Sequence, residues 1–105
     1  MTLGELIEEL KRHDRNKIVP MGFHHPHSYR GYYDQLAFEP ARNITVGEML
    51  NCAQEALNTT YPGWKGGDFT MGESTEVWLA DEGDCGEIIG PELLNYMLDM
   101  PVKEA

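Results

Sequence analysis

The sequence predicts a single α+β domain, an antiparallel sheet with three helices packed mainly on one face. Three observations carry that expectation. Two Thr-x-x-Glu capping patterns each open an apolar stripe of helical period, and a Gly-Pro step opens a third stripe. Runs rich in β-branched and aromatic residues lie between the stripes, and the first two are joined by a connection short enough for antiparallel pairing. The chain of 105 residues suffices for one domain with a modest core, and no repeat, linker or low-complexity tract divides 1–105.

The elements follow in order. Thr2 caps the first helix, expected over 3–13, and Glu5 completes its box; Leu3, Leu6, Ile7 and Leu10 share one face, and the charged run Lys11 to Lys17 ends it. Lys17 to Phe23, with Ile18 and Val19, reads as a strand. A turn over Ser28 to Gly31 leads to a second strand at Tyr32 to Phe38. Thr45 and Glu48 frame a second helix over 45–58, whose stripe is Val46, Met49, Leu50, Ala53 and Leu57, closed by Tyr61-Pro62-Gly63. Phe69 to Met71 is a short strand, and Glu76 to Ala80, carrying Val77, Trp78 and Leu79, is the best strand signal in the chain. Gly90-Pro91 starts a helix over 91–99 that buries Leu93, Leu94, Met97 and Leu98.

The net charge is −10 and is unevenly spread: residues 1–19 balance four acids against four bases, whereas residues 73–105 hold nine acids and one base. Such a surface repels duplex nucleic acid, whose binding depends on Lys and Arg at phosphates. It suits solubility, or imitation of DNA toward a basic partner. No apolar run approaches the ~18 residues of a membrane span, and Met1 to Leu10 carries acids and no bases, unlike a secretory leader. Cys52 falls in a helix and Cys85 in a Gly-rich acidic turn, too sparse for a disulfide framework. Both are expected to be free thiols in a reducing, cytoplasmic compartment.

Two stretches carry chemistry. In Gly22 to Tyr33, His24, His25, His27, Ser28, Tyr29, Arg30, Tyr32 and Tyr33 converge. Aromatic rings stack on nucleobases, and Arg forks onto phosphate or carboxylate. The bland alternative is a strand–turn–strand unit whose Tyr rings edge the core and whose Arg faces water. In Thr59 to Met71, Gly66-Gly67 after Lys65 offers backbone amides beside a positive charge, an anion cradle, with Trp64 as a stacking platform or cation–π partner. The alternative there is a long turn anchoring Trp64 in the core. The histidines lack the spaced Cys or carboxylate partner of a zinc site. Ser28 and Cys52 lack a nucleophile signature, and Asp81, Glu82 and Asp84 lack the twelve-residue calcium-loop pattern. No cofactor, metal or catalytic residue is therefore expected.

His27-Ser28-Tyr29-Arg30-Gly31-Tyr32-Tyr33, then Leu36, Phe38, Glu39 and Pro40, Thr45-Val46-Gly47-Glu48-Met49-Leu50, Thr60-Tyr61, Gly63, Lys65-Gly66-Gly67 and Phe69-Thr70-Met71 form a pattern over roughly residues 2–98. It resembles small phage-encoded proteins, nearest the Thoeris anti-defence sponges. The resemblance implies a non-catalytic homo-oligomer in the cytoplasm of an infected bacterium. Such a protein sequesters a cyclic nucleotide immune signal, of cyclic ADP-ribose or cyclic oligonucleotide type, partly between subunits. In that reading Tyr29, Tyr32 or Trp64 stacks on the base, Arg30 and Lys65 hold phosphates, Gly66 and Gly67 offer amides, and His27, Ser28 or Thr70 meets ribose. Only the Arg30 and Lys65-Gly66-Gly67 motifs carry over from the resemblance. The alternatives are an acidic protein-binding inhibitor of a host defence complex, of anti-CRISPR or anti-restriction kind, and an enzyme acting on a nucleotide through the histidines.

Overall fold

The computed structural model describes residues 1–29, 35–62, 68–80 and 86–100; the side chains of Ser28, Tyr61, Pro62, Asp68 and Phe69 lie outside the description. Helix α1 spans Leu3–Lys11. Its capping box is complete: Thr2 Oγ1 accepts from the Glu5 N–H at 3.3 Å, and Glu5 accepts from the Thr2 N–H at 2.9 Å. The N–H groups of Leu3 and Gly4, orphaned at the helix start, donate to the carbonyls of Thr75 and Glu73, which docks α1 onto that turn. Helix α2 spans Val46–Ala56, with Thr45 Oγ1 accepting from the Glu48 N–H at 3.1 Å. Leu57 leaves the helix in an extended conformation and Asn58 follows at φ 66°. Helix α3 spans Pro91–Asp99 and starts at Gly90, which has no side chain with which to cap it.

Strands β1, Ile18–Ser28, and β2, Gln35–Thr45, form an antiparallel pair that starts at Ile18 opposite Thr45 and reaches Ser28 opposite Leu36. Both run further than the sequence pattern predicts. The extra stretches, His24 to Ser28 and Glu39 to Thr45, carry Pro26 and Pro40, which work against a strand signal. A ladder tolerates proline where one side of the strand is unpaired. That is so along β1, an edge strand, and along β2 beyond Phe38, where pairing to its other neighbour stops.

Two short hairpin strands, β3 (Thr60–Pro62) and β4 (Asp68–Thr70), make a separate two-stranded sheet. Strands β5 (Glu76–Leu79) and β6 (Glu87–Ile88) complete the main sheet in the order β1-β2-β5-β6. Two of its pairings are antiparallel. The β2–β5 pairing is parallel, because α2 and the β3–β4 hairpin form the long crossover that parallel neighbours require.

The three helices build one core on one face of the sheet. Leu3, Leu6 and Leu10 of α1, Met49, Leu50 and Ala53 of α2 and Leu94, Met97 and Leu98 of α3 meet Phe23, Leu36, Phe38 and Val77 of the strands. Phe23 and Phe38 lie in contact with ring centroids 4.5 Å apart. Among the described residues no helix is long and apolar enough to cross a membrane.

Candidate functional site

Side chains alternate across a strand, so the residues between the core positions of β2 and β5 emerge on the opposite face. There a second, smaller cluster forms: Tyr29, Ala37, Ala80 and Trp78, to which no helix contributes among the described residues. The register explains it. His27 is opposite Ala37, Ala37 opposite Trp78, and Trp78 opposite Ile88, so one row crosses all four strands. Ala37 leaves room for large neighbours and is itself fully covered. Tyr29, one residue past the end of β1, lays its ring flat on the indole of Trp78, with centroids 4.3 Å apart and planes 4° from parallel. Such a pair contributes about 0.5–1.5 kcal/mol beyond its buried area. The Tyr29 hydroxyl accepts from the Gly86 N–H at 3.2 Å. His27 Nε2 lies 3.0 Å from the Ala80 carbonyl. A carbonyl only accepts, so this hydrogen bond requires the proton on Nε2.

The sequence-predicted site residues are thus divided. His27 and Tyr29 come together on the helix-free face, and the backbone of Ser28 runs between them. Tyr29 is only 6% exposed and one face of its ring is given to Trp78, so the ring expected to stack on a base is instead a packed wall of the cluster. Thr70 is exposed in β4, its hydroxyl 2.8 Å from that of Thr60 across the hairpin. That hairpin lies against β1 through β3. Arg30, Tyr32, Trp64, Lys65, Gly66 and Gly67 lie outside the described residues, as does Cys85.

The alternation of His24, His25 and His27 along β1 is not that of a regular strand. The β1–β2 register shifts between His24 and Pro26, with His25 in the left-handed region at φ 41°. His25 is exposed, and its ring packs on that of His24 with centroids 4.1 Å apart. Cys52 of α2 is a half-buried free thiol. Burial pushes its pKa up, the nearby Glu55 and Glu48 carboxylates add to the rise, and a hydrogen bond with the His25 backbone opposes it. A thiol held in its neutral form is a poor nucleophile.

The helical face carries a groove of about 650 Å³ between α1, the end of α2 and the start of α3. Its floor includes Ile7, Leu57, Pro91 and Leu94, and Glu5, Glu8, Glu9 and Glu73 stand around it. Its two basic side chains are already paired, Lys11 with Glu8 at 3.6 Å and Arg12 with Glu9 at 3.5 Å. None of the residues predicted from sequence lines it. Acids therefore gather at α1 as well as in the C-terminal third.

Ala37, Trp78 and Ile88 are the members of the row that sequence reasoning did not assign to the site. A strand signal at Glu76 to Ala80 was legible, but which neighbour Trp78 would face depends on the parallel β2–β5 register. No protein-family model, curated protein or solved structure matches this chain.

Proposed function

We propose that the protein is a binding module that holds a cyclic nucleotide signal, of cyclic ADP-ribose or cyclic oligonucleotide type, without cleaving it. As a phage anti-defence sponge it would keep that signal from a host effector. The observation that supports this reading most is the row His27–Ala37–Trp78–Ile88 with Tyr29 stacked on it. It is an aromatic cluster on the face that no helix covers among the described residues, and Arg30 and Tyr32 follow Tyr29 in sequence. A cluster of this kind suits a base, and the guanidinium next in sequence suits a phosphate.

In this reading the protein works as a homo-oligomer. A 105-residue chain whose one large core is committed to the helical face has little depth for a nucleotide, and a second copy would supply the walls that one copy lacks. The test is incubation with a panel of cyclic nucleotides, removal of free ligand, heat denaturation and chromatography of what is released. Intact nucleotide is the expected result. An altered product would make the protein an enzyme, and no retention would overturn the reading. Arg30→Ala should weaken binding roughly ten- to a hundredfold, the loss of one charge-assisted hydrogen bond.

A second reading, an acidic inhibitor of a host defence protein, is favoured by the groove on the helical face, where Glu5, Glu8, Glu9 and Glu73 surround an apolar floor. It predicts capture of a basic partner, lost on Glu8→Lys and Glu73→Lys together, with no nucleotide retained.

A further inference from the structure

The groove between α1, the end of α2 and the start of α3, about 650 Å³, falls in the range of about 300–1,000 Å³ that ligand pockets occupy. Its apolar part is open to solvent: Leu57 is half-buried where the chain leaves α2, and Pro91 is exposed at the start of α3. Its surroundings sort the occupants it could take. At the start of α1 the N–H groups of Leu3, Gly4 and Glu5 are taken by Thr75, Glu73 and Thr2, and Lys11 and Arg12 are paired with Glu8 and Glu9. An anion therefore meets spent donors among four carboxylates. A second copy brings a net charge of −10 to the same acids and is repelled. An extended peptide finds no strand edge to pair with, because every wall of the groove is a helix, a turn or the chain start among the described residues. A helix closes its own backbone hydrogen bonds and needs only an apolar face for the floor and cations for the rim.

We infer that this groove is a docking site for a basic amphipathic helix of a partner protein. Its apolar side chains would pack on Leu57 and Pro91, and its Lys and Arg side chains would meet Glu5, Glu8, Glu9 and Glu73. This rests on the second reading above and deepens it by giving the partner's form. The exposed Lys11–Glu8 and Arg12–Glu9 pairs do not stand in the way. Pairs of this kind contribute little, so cations of the partner can share or replace them at small cost.

The experiment uses the full chain and two fluorescent synthetic peptides of leucine and lysine, each long enough for about four helical turns. One places all its leucines on a single helical face, and the other has the same composition in scrambled order. Anisotropy at low salt reads binding, and circular dichroism reads helix formed by the peptide. The one-faced peptide is expected to gain helix on binding and to bind at least tenfold more tightly than the scrambled one. Glu8→Lys together with Glu73→Lys, both exposed and melting within a few degrees of the wild type, should weaken it at least tenfold. Equal binding of the two peptides, or binding without gain of helix, overturns this inference and leaves the acidic-inhibitor reading standing, since charge alone would then suffice. Binding unchanged by the double charge reversal overturns the assignment to the groove. If neither peptide binds, this inference and the acidic-inhibitor reading fall together.

Discussion

Gly86 is the point where the small cluster is most open to mechanical attack. A Cβ added there would lie 1.9 Å from the Leu79 carbonyl oxygen, 2.8 Å from its carbon and 2.5 Å from the Ala80 Cβ. Two of these are main-chain atoms, which cannot rotate aside as a side-chain end can. Gly86→Ala must therefore push β6 away from β5. Separation breaks the ladder in which Trp78 faces Ile88 and Leu79 faces Glu87, and it loosens the Gly86–Tyr29 hydrogen bond. Overpacking of a tight site costs about 1–3 kcal/mol, and giving up roughly two net hydrogen bonds to relieve it costs about 2 kcal/mol. The chain takes whichever route is cheaper, so a loss of about 2 kcal/mol is expected. In a domain of this size each kcal/mol moves Tm by about 4–8 °C, giving a fall of roughly 8–16 °C. Thermal unfolding followed by circular dichroism reads the fall, and Trp fluorescence should shift to the red as Trp78 loses its flank. Gly72→Ala is the control, because its Cβ would meet nothing within 4 Å. Equal melting of Gly86→Ala and Gly72→Ala would refute the argument that the Gly86–Leu79 approach holds β6 in place.

Two further outcomes are expected. Gly90 begins α3 at φ −110° and ψ 176° with no capping side chain and open space at its Cβ, so Gly90→Ser should stabilise by a few tenths of a kcal/mol, seen as a slightly higher denaturant midpoint at unchanged slope. Cys52 has a folded-state pKa raised above its unfolded value, so its contribution to stability is complete below about pH 8.5 and fades as pH climbs through the folded value; Cys52→Ala should flatten that alkaline decline in melting temperature, and an identical decline in the variant would assign it to other groups.

Much of the fold was legible in local chemistry. All three helices lie where caps and stripes place them, because Thr2–Glu5, Thr45–Glu48 and Gly90-Pro91 are short-range devices that act within one turn. Their ends were less legible: α1 stops at Lys11 and α2 at Ala56, each two residues before the expected end. The strands were harder. Pro26 and Pro40 are allowed only because of which sides of β1 and β2 are unpaired, and that is a property of the assembled sheet. The brevity of β3 and β6 left them without a pattern to read. The site was partly legible for the same reason. His27 and Tyr29 stood out as types in a dense stretch, but Tyr29 is buried by Trp78, a partner 49 positions on that only the parallel register brings to it.

Charge gives the two functional readings opposite signatures. A chain of net charge −10 repels an anionic cyclic nucleotide at long range. Salt screens that repulsion beyond a Debye length of about 10 Å at 0.1 M, and it screens close, partly buried contacts much less. The acids of α1 and the groove, Glu5, Glu8 and Glu9, act on the approach of a ligand, whereas contacts at hydrogen-bond distance act on its departure. Raising the ionic strength from about 0.05 M to about 0.3 M should therefore speed association of a nucleotide and leave its dissociation nearly unchanged. A basic protein partner would show the reverse, with association slowing as the attraction is screened. Stopped-flow fluorescence of the tryptophans separates the two rates for a nucleotide, and surface-coupled partner does so for a protein. Nucleotide association that slows with salt would show that the ligand feels a locally positive mouth rather than the acidic body. That would refute the repulsive approach argued here and move the weight of recognition to Arg30 and Lys65.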